Sequence, residues 1–426
     1  MDDLDRREAT PAERYRAAAR SGRNGMSFLT LYDGWEYFHP ASVEGYVAYE
    51  RHNGVAVACG EPVCEPGAAP AVLAAFAAFC ARERLVPAFA GATAAFASEA
   101  REAGWSTLKI GEEPVFEVAT YAPRGNRTKK VRSAANQARK TGVSIEVVPR
   151  AGHLPLHVAT EIDAVTALWR ASRNVKALGF TLRLAPLAFA EDKIIVLARK
   201  DGRLEGFVTC IPYDGGRAHY IEDLIRRPDA ANGVSEMLFL RAVEECGARG
   251  AELANLGLSP LRNCREQPSN RRLLGRLLDF TFRRLNFFYG FKPLNHFKAK
   301  FGPSRWEPSY LIYPPGHLGR VAIATLLAFT PGALGPASAA ASRFRPRTAP
   351  GEAAPRRRGL VTGAALAVGA AAAVWLDPAL IAPVHTAMST ATRPFWEVED
   401  LARAHVVIDA VALAAGGSWY LRAHRK

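Results

Sequence analysis

The chain has 426 residues, with 55 Lys and Arg against 41 Asp and Glu, a net charge of +14. At ~150 residues per domain this length suggests two or three domains. Hydrophobic residues at 49% and charged residues at 23% exclude a disordered or collagen-like chain, and the surplus of cations points to nucleic acid, an anionic membrane surface, or both.

Composition changes near Pro314, from interspersed charge to Ala/Gly-rich runs separated by Arg clusters. Residues 25–313 read as the body and 1–24 as an N-terminal extension. In the body, a strand near Trp35–Phe38 precedes Gly45–Glu50 and Val55–Cys59. The Asn53-Gly54 pair between those two runs is a strong hairpin signal. A helix over Ala69–Glu83 follows, then a strand at Val86–Ala90, a helix near Ala94–Ala103 and a strand at Pro114–Val118. The plan then repeats. A helix over Ala159–Ser172 precedes Lys193–Ala198 and Leu204–Pro212, joined by Lys200-Asp201-Gly202. Arg217–Leu224 is a further strand, Asn232–Arg249 a helix and Ala251–Leu256 a strand. Strands followed by helix and strand, twice, predict an α/β body with mixed sheets, a first half over 25–123 and a second over 143–313.

Between the halves, residues 124–142 form a basic linker helix. From Arg124 to Lys140 there are seven cations and no anion. On a helix Lys129, Arg132, Asn136 and Arg139 share one face. A solvated helix normally mixes signs, so a polyanion is the expected partner, held by Arg127, Lys129, Lys130, Arg132, Arg139 and Lys140. A second cluster runs from Arg262 to Arg284.

Six cysteines (Cys59, Cys64, Cys80, Cys210, Cys246, Cys264) are scattered, without a C-x-x-C pair or zinc-like Cys/His spacing. No metal and no cofactor are expected, and the thiols read as reduced. The N-terminal thirty residues have no apolar stretch of the kind a signal peptide carries.

In the tail, Leu360–Leu376 is 17 uncharged residues, somewhat short of the ~20 a spanning helix needs. Ala404–Leu421 is a second candidate, carrying His405 and Asp409. Val321–Ala341 is broken by Pro331 and Pro336 and reads as interfacial, so 316–358 is a basic linker and 359–426 a transmembrane hairpin. With Arg356–Arg358 before it and Arg422, Arg425 and Lys426 after it, both ends of the hairpin face the cytoplasm. The body then lies at the cell membrane on the cytoplasmic side.

Three stretches carry a family resemblance. The first is Lys109-Ile-Gly-Glu-Glu-Pro-Val-Phe-Glu. The second is Tyr220-Ile-Glu-Asp-Leu-Ile-Arg-Arg-Pro-Asp-Ala-Ala-Asn-Gly-Val-Ser-Glu-Met-Leu, with Asn255-Leu-Gly-Leu-Ser-Pro-Leu after it. The third runs from Phe288 through Phe297-Lys-Ala-Lys-Phe-Gly-Pro-Ser-Arg-Trp-Glu to Leu311 and is the most specific. Together they resemble the C-terminal catalytic domain of phosphatidylglycerol lysyltransferases, the multiple peptide resistance factor family. The resemblance implies tandem GNAT-like (acyl-CoA N-acyltransferase-like) halves. It also implies transfer of an aminoacyl group from aminoacyl-tRNA to a lipid hydroxyl at an anionic phospholipid membrane.

Such a transfer needs a positioned acceptor hydroxyl, a path for its proton and a stabilised oxyanion. The resemblance places Asp223 and Arg226 in the donor cleft, Asp223 on the ammonium or hydroxyl and Arg226 on a phosphate. Asn232 and Gly233, at a helix start, would offer backbone N–H groups to phosphate. Glu236, Asn255 and Tyr310 complete the expected substrate contacts. Lys298 and Lys300 alternate with Phe297 and Phe301, so an extended segment would turn both lysines to one face as phosphate or oxyanion ligands. Glu112 and Glu113 read as structural, as do His219 and His296. Two rival readings are an acyl-CoA-dependent N-acyltransferase, disfavoured by the single glycine at the helix start, and a non-catalytic tRNA- or membrane-binding module.

Overall fold

The computed structural model describes residues 9–149, 154–172, 180, 183–264 and 291–329. Thirteen strands among these form one mixed sheet. In chain order they are β1 (Glu36–Phe38), β2 (Gly45–His52), β3 (Val55–Cys59), β4 (Val63–Cys64), β5 (Val86–Ala92), β6 (Ser106–Glu117), β7 (Ser144–Val147), β8 (Ile194–Lys200), β9 (Arg203–Tyr213), β10 (Ala218–Arg226), β11 (Leu253–Asn255), β12 (Ser259–Pro260) and β13 (Arg305–Tyr313). The order across the sheet is β1-β2-β3-β5-β13-β6-β11-β10-β9-β8-β7, with β4 on β2 and β12 on β6.

The repeated plan is present. The β2–β3 hairpin leads through helix α2 (Ala69–Arg82) to β5, which lies parallel to β3. The β9–β10 pair leads through α6 (Val234–Ala248) to β11, parallel to β10. Asn53-Gly54 and Asp201-Gly202 both take positive φ, the conformation a tight two-residue hairpin turn requires. β13 is far from the first half in sequence, yet it pairs only with β5 and β6. β6 in turn carries β11 on its other side. The two plans therefore share a continuous sheet.

Several elements extend past their expected ends. β6 begins at Ser106, because Lys109 and Glu112 are buried as an ion pair 2.7 Å long, so polar residues occupy core positions of a strand. The stretch before residue 25 holds α1 (Pro11–Ser21), whose Thr10 and Glu13 make a reciprocal capping box with Pro11 opening the helix. That signature stands in the sequence as Thr-Pro-Ala-Glu. The stretch expected to be interfacial enters a further helix, α8 (Leu318–Phe329), whose Val321, Ala324 and Ala328 are buried in the core of the first half. Residues 321–329 are therefore a core helix on one side, with Ile323 43% exposed on the other. The remainder of that stretch, both candidate membrane spans and most of the Arg262–Arg284 cluster lie outside the described residues. No helix among the described residues is long and apolar enough to cross a membrane.

The linker helix α4 (Lys129–Lys140) buries Val131, Ala135 and Ala138 and turns Lys129, Lys130, Asn136, Arg139 and Lys140 outward. One stripe is apolar enough to dock and the rest stays wet. The remaining helices are α3 (Ala94–Glu102), α5 (Leu156–Ala171) and α7 (Phe291–Ala299).

Candidate active site

The register of β10 against β9 slips between Ile221 and Asp223, leaving Glu222 as the extra residue of a β-bulge. Adjacent strand residues normally face opposite ways. Here both carboxylates come to Thr209. Its hydroxyl donates to Glu222 Oε2 at 3.4 Å and accepts the Asp223 backbone N–H at 3.3 Å.

Glu222 is fully compensated. Lys193 Nζ lies 3.0 Å from Glu222 Oε2, and the Tyr32 hydroxyl donates to Oε1 at 2.7 Å. The lysine's other two N–H groups reach the carbonyls of Ala185 at 3.0 Å and Pro186 at 3.3 Å. Tyr32 stacks on Phe189 from the same segment. Asp223 is only 4% exposed, and its Oδ2 has no hydrogen-bond partner among the described residues. Burial and the neighbouring Glu222 push its carboxyl up to about 8, against the opposing pull of Lys193 and of Arg170 on α5. Among the described residues one buried carboxyl oxygen is left open to a further group, which demands an explanation.

A second polar cluster flanks the first. Lys298 is on helix α7, not on an extended segment, because the sequence from Phe291 to Ala299 closes a helix before the Gly302-Pro303 break. Lys298 and Lys300 therefore do not share a face. Lys298 turns inward and donates to the carbonyls of Gly257 at 2.9 Å and Leu258 at 2.8 Å. Burial pushes it down to about 7, opposed by Glu113. Lys300 turns to α6, pairs with Glu236 at 2.7 Å and lies over the Phe297 ring. Asn255 Nδ2 donates to Glu113 at 2.7 Å, and Asn255 Oδ1 accepts the Gly257 N–H at 2.6 Å. Burial pushes the Glu113 carboxyl up.

Tyr220 stands between the clusters. Its ring occupies the place a Cβ on Gly257 would take. Burial, then Glu222, Glu113 and Asp223, raise its hydroxyl above the usual phenol range. Asp223, Glu222, Tyr220, Glu113, Asn255 and Lys298 thus form one polar seam along the junction of β10, β11 and β6.

Other expected residues lie elsewhere. Residues two apart on a strand share a face, so Arg226 goes with Leu224, which packs on the α4–α6 core, while Asp223 goes with Ile225. Arg226 donates to the Arg227 carbonyl at 3.3 Å. Gly233 caps α6 in the left-handed region at φ 95°, where a Cβ would fall 1.9 Å from the Ala134 carbonyl oxygen of α4. Close helix packing accounts for that glycine without a phosphate, and Asn232 beside it is exposed. Tyr310 packs with the core that holds Phe76, Phe89 and Phe96. Arg127 donates to the Pro303 carbonyl at 2.7 Å, and Arg132 to those of Pro123 and Gly125. These two arginines brace the linker, whereas Lys129, Lys130 and Lys140 form no ion pair among the described residues.

Glu222, Lys193, Tyr32 and Arg170 were not legible as site residues. The one sequence signal was the adjacent Glu-Asp pair inside an apolar strand, which simple alternation cannot place. Among the described residues no three His, Cys, Asp or Glu side chains converge as metal ligands. An open hollow of about 570 Å³ between α1 and residues 39–46 shares no residue with this seam.

The family model described as phosphatidylglycerol lysyltransferase, C-terminal, matches residues 15–313. The bifunctional protein LysX of lysylphosphatidylglycerol biosynthesis in Nocardia farcinica is 28% identical over 307 residues, which cover 71% of this chain and 27% of LysX. This chain thus spans about a quarter of that relative. Two solved structures are similar in fold. A domain from Agrobacterium fabrum, provisionally named as the C-terminal part of a lysylphosphatidylglycerol synthetase, aligns at TM-score 0.64 and 22% identity, covering 76% of this chain and 100% of the other. The L-PGS of Bacillus licheniformis aligns at TM-score 0.63 and 19% identity, covering 75% and 95%.

Proposed function

The chain belongs to the phosphatidylglycerol lysyltransferase C-terminal family, and from that premise we propose that it moves an aminoacyl group, lysyl first among candidates, from aminoacyl-tRNA to the hydroxyl of a membrane lipid such as phosphatidylglycerol. The observation that carries this reading is the open, buried Oδ2 of Asp223 at the β10 bulge.

In the proposed reaction the lipid hydroxyl oxygen attacks the ester carbonyl. A new C–O bond to the lipid forms and the bond to the tRNA ribose oxygen breaks. The proton leaves the lipid hydroxyl and ends on the ribose oxygen. Asp223, as carboxylate, takes that proton and hands it on, and a carboxyl that titrates near working pH suits a two-way relay. Lys298 fixes the Gly257 and Leu258 carbonyls and retains one N–H for the seam. Arg226 meets a phosphate from the α6 side, and Lys129, Lys130 and Lys140 of α4 meet the tRNA backbone. The tandem GNAT-like description, the tail hairpin and the cytoplasmic placement belong to this same reading.

The test is transfer of labelled lysine from charged tRNA to phosphatidylglycerol in vesicles by the full chain. Lipid-linked label that depends on both tRNA and Asp223 supports the reading. No label with lysyl-tRNA, alanyl-tRNA or arginyl-tRNA overturns it.

A further inference from the structure

The bulge sets two carboxylates side by side and treats them differently. Glu222 is paired on both oxygens, and its partner Lys193 has no exposed side-chain surface at all. A buried lysine with three acceptors around its three protons is expensive to build unless its position matters. It sits one residue before β8, held by the carbonyls of a segment that also supplies Phe189 against Tyr32. Among the described residues, the charged and titratable groups that face Asp223 belong to this arrangement or border it. Glu222 and Tyr220 come from β10, Lys193 from the start of β8, Arg170 from α5, and Tyr32 from the turn before β1.

We propose that the Lys193–Glu222 pair, braced by Tyr32, is a positioning device that holds the bulge and fixes the charge state of Asp223. Lys193 cancels Glu222, so of the two carboxyls at the bulge Asp223 is the one left to meet substrate. Neither Lys193 nor Glu222 touches the reacting atoms. As a device acting on transfer, the pair rests on the reading of Asp223 given above. Its effect on the Asp223 proton stands independently of that reading.

The experiment is a pH titration of the carboxyl infrared band that is lost in Asp223→Asn, run on the full chain, beside the pH profile of transfer. Lys193→Met leaves Glu222 uncancelled and raises the Asp223 midpoint. Glu222→Gln keeps the hydrogen bond from Tyr32, leaves Lys193 uncancelled and lowers it. Each shift is about one pH unit or more, the effect of a charge within a few ångströms. The double variant removes both charges and returns the midpoint toward that of the unaltered protein. If Lys193→Met does not fold, Glu222→Gln and the double variant still decide. Midpoints that stay in place in Glu222→Gln, or that fail to return in the double variant, overturn the device. Full transfer by Asp223→Asn overturns instead the reading of the reaction, and the infrared midpoints then judge the device alone.

Discussion

Lys298 and Lys300, two residues apart, serve opposite sides of the protein: Lys298 clamps the Gly257 and Leu258 carbonyls from inside, and Lys300 binds Glu236 of α6 from outside. Replacing Lys298 with Met leaves two buried carbonyls unpaired, at about 1–3 kcal/mol each. Lys300→Ala removes a partly exposed pair worth about 1 kcal/mol or less. Thermal melts are expected to separate the two variants clearly, and a larger loss in Lys300→Ala would refute the helical register.

Asp223 sets a pH dependence whose sign is fixed. Its carboxyl is pushed from 3.8 up to about 8. Between those values the folded protein holds a proton the unfolded chain has released, so this group's contribution to stability falls as pH rises. Lys298, pushed from 10.5 down to about 7, acts with the opposite sign from pH about 7 upward, where the unfolded chain holds the proton the folded protein has released. In Asp223→Asn the melting temperature relative to the unaltered chain therefore increases from pH 5 to pH 7. Transfer by the same variant drops about 10²–10⁴-fold, the usual share of a proton relay. A flat difference in melting temperature would show that Asp223 is already ionised when folded.

The α4 lysines that form no ion pair among the described residues are the ones expected to meet tRNA. Changing Lys129, Lys130 and Lys140 to Ala is expected to weaken binding and reduce the salt slope by ~0.7–0.9 for each phosphate no longer neutralised. Arg127→Ala and Arg132→Ala lower the melting temperature more, since both brace backbone carbonyls. Filter binding across a salt series measures the slope, and an unchanged slope in the triple lysine variant rules the surface out.

Gly233→Ala tests whether that glycine serves packing. The new methyl meets the Ala134 carbonyl in a left-handed conformation, a strain of about 1–3 kcal/mol. The melting temperature falls by about 2–4 °C per kcal/mol, while the Michaelis constant for tRNA in the folded fraction stays put. A raised Michaelis constant without loss of stability would instead indicate a phosphate cradle.

The tail prediction follows from its apolar runs. The full chain is expected to sediment with membranes, and a chain ending at Phe344, which keeps α8 in the core, to remain in the supernatant. Equal partition of the two would exclude the tail as a tether.

Local pattern in the sequence was enough for the hairpins, the two strand–helix–strand plans and the one-sided linker helix. Turn chemistry, side-chain period and charge act over a few residues and need no partner. Asp223 was singled out differently, by the family resemblance of the motif around it and not by local pattern. Three features were decided only by tertiary packing. The insertion of β13 between β5 and β6 depends on strands some two hundred residues apart in the chain. The helical state of Phe291–Ala299 overrode an alternation of lysine and phenylalanine that read as a strand, because Lys298 finds its acceptors on the β11 side and Phe301 its place in the core against Phe239. The bulge at Glu222 put two carboxylates beside one threonine, and only the distant Lys193 and Tyr32 make that arrangement stable. A buried charge can be placed only when its partner is known, and here the partners come from other parts of the chain.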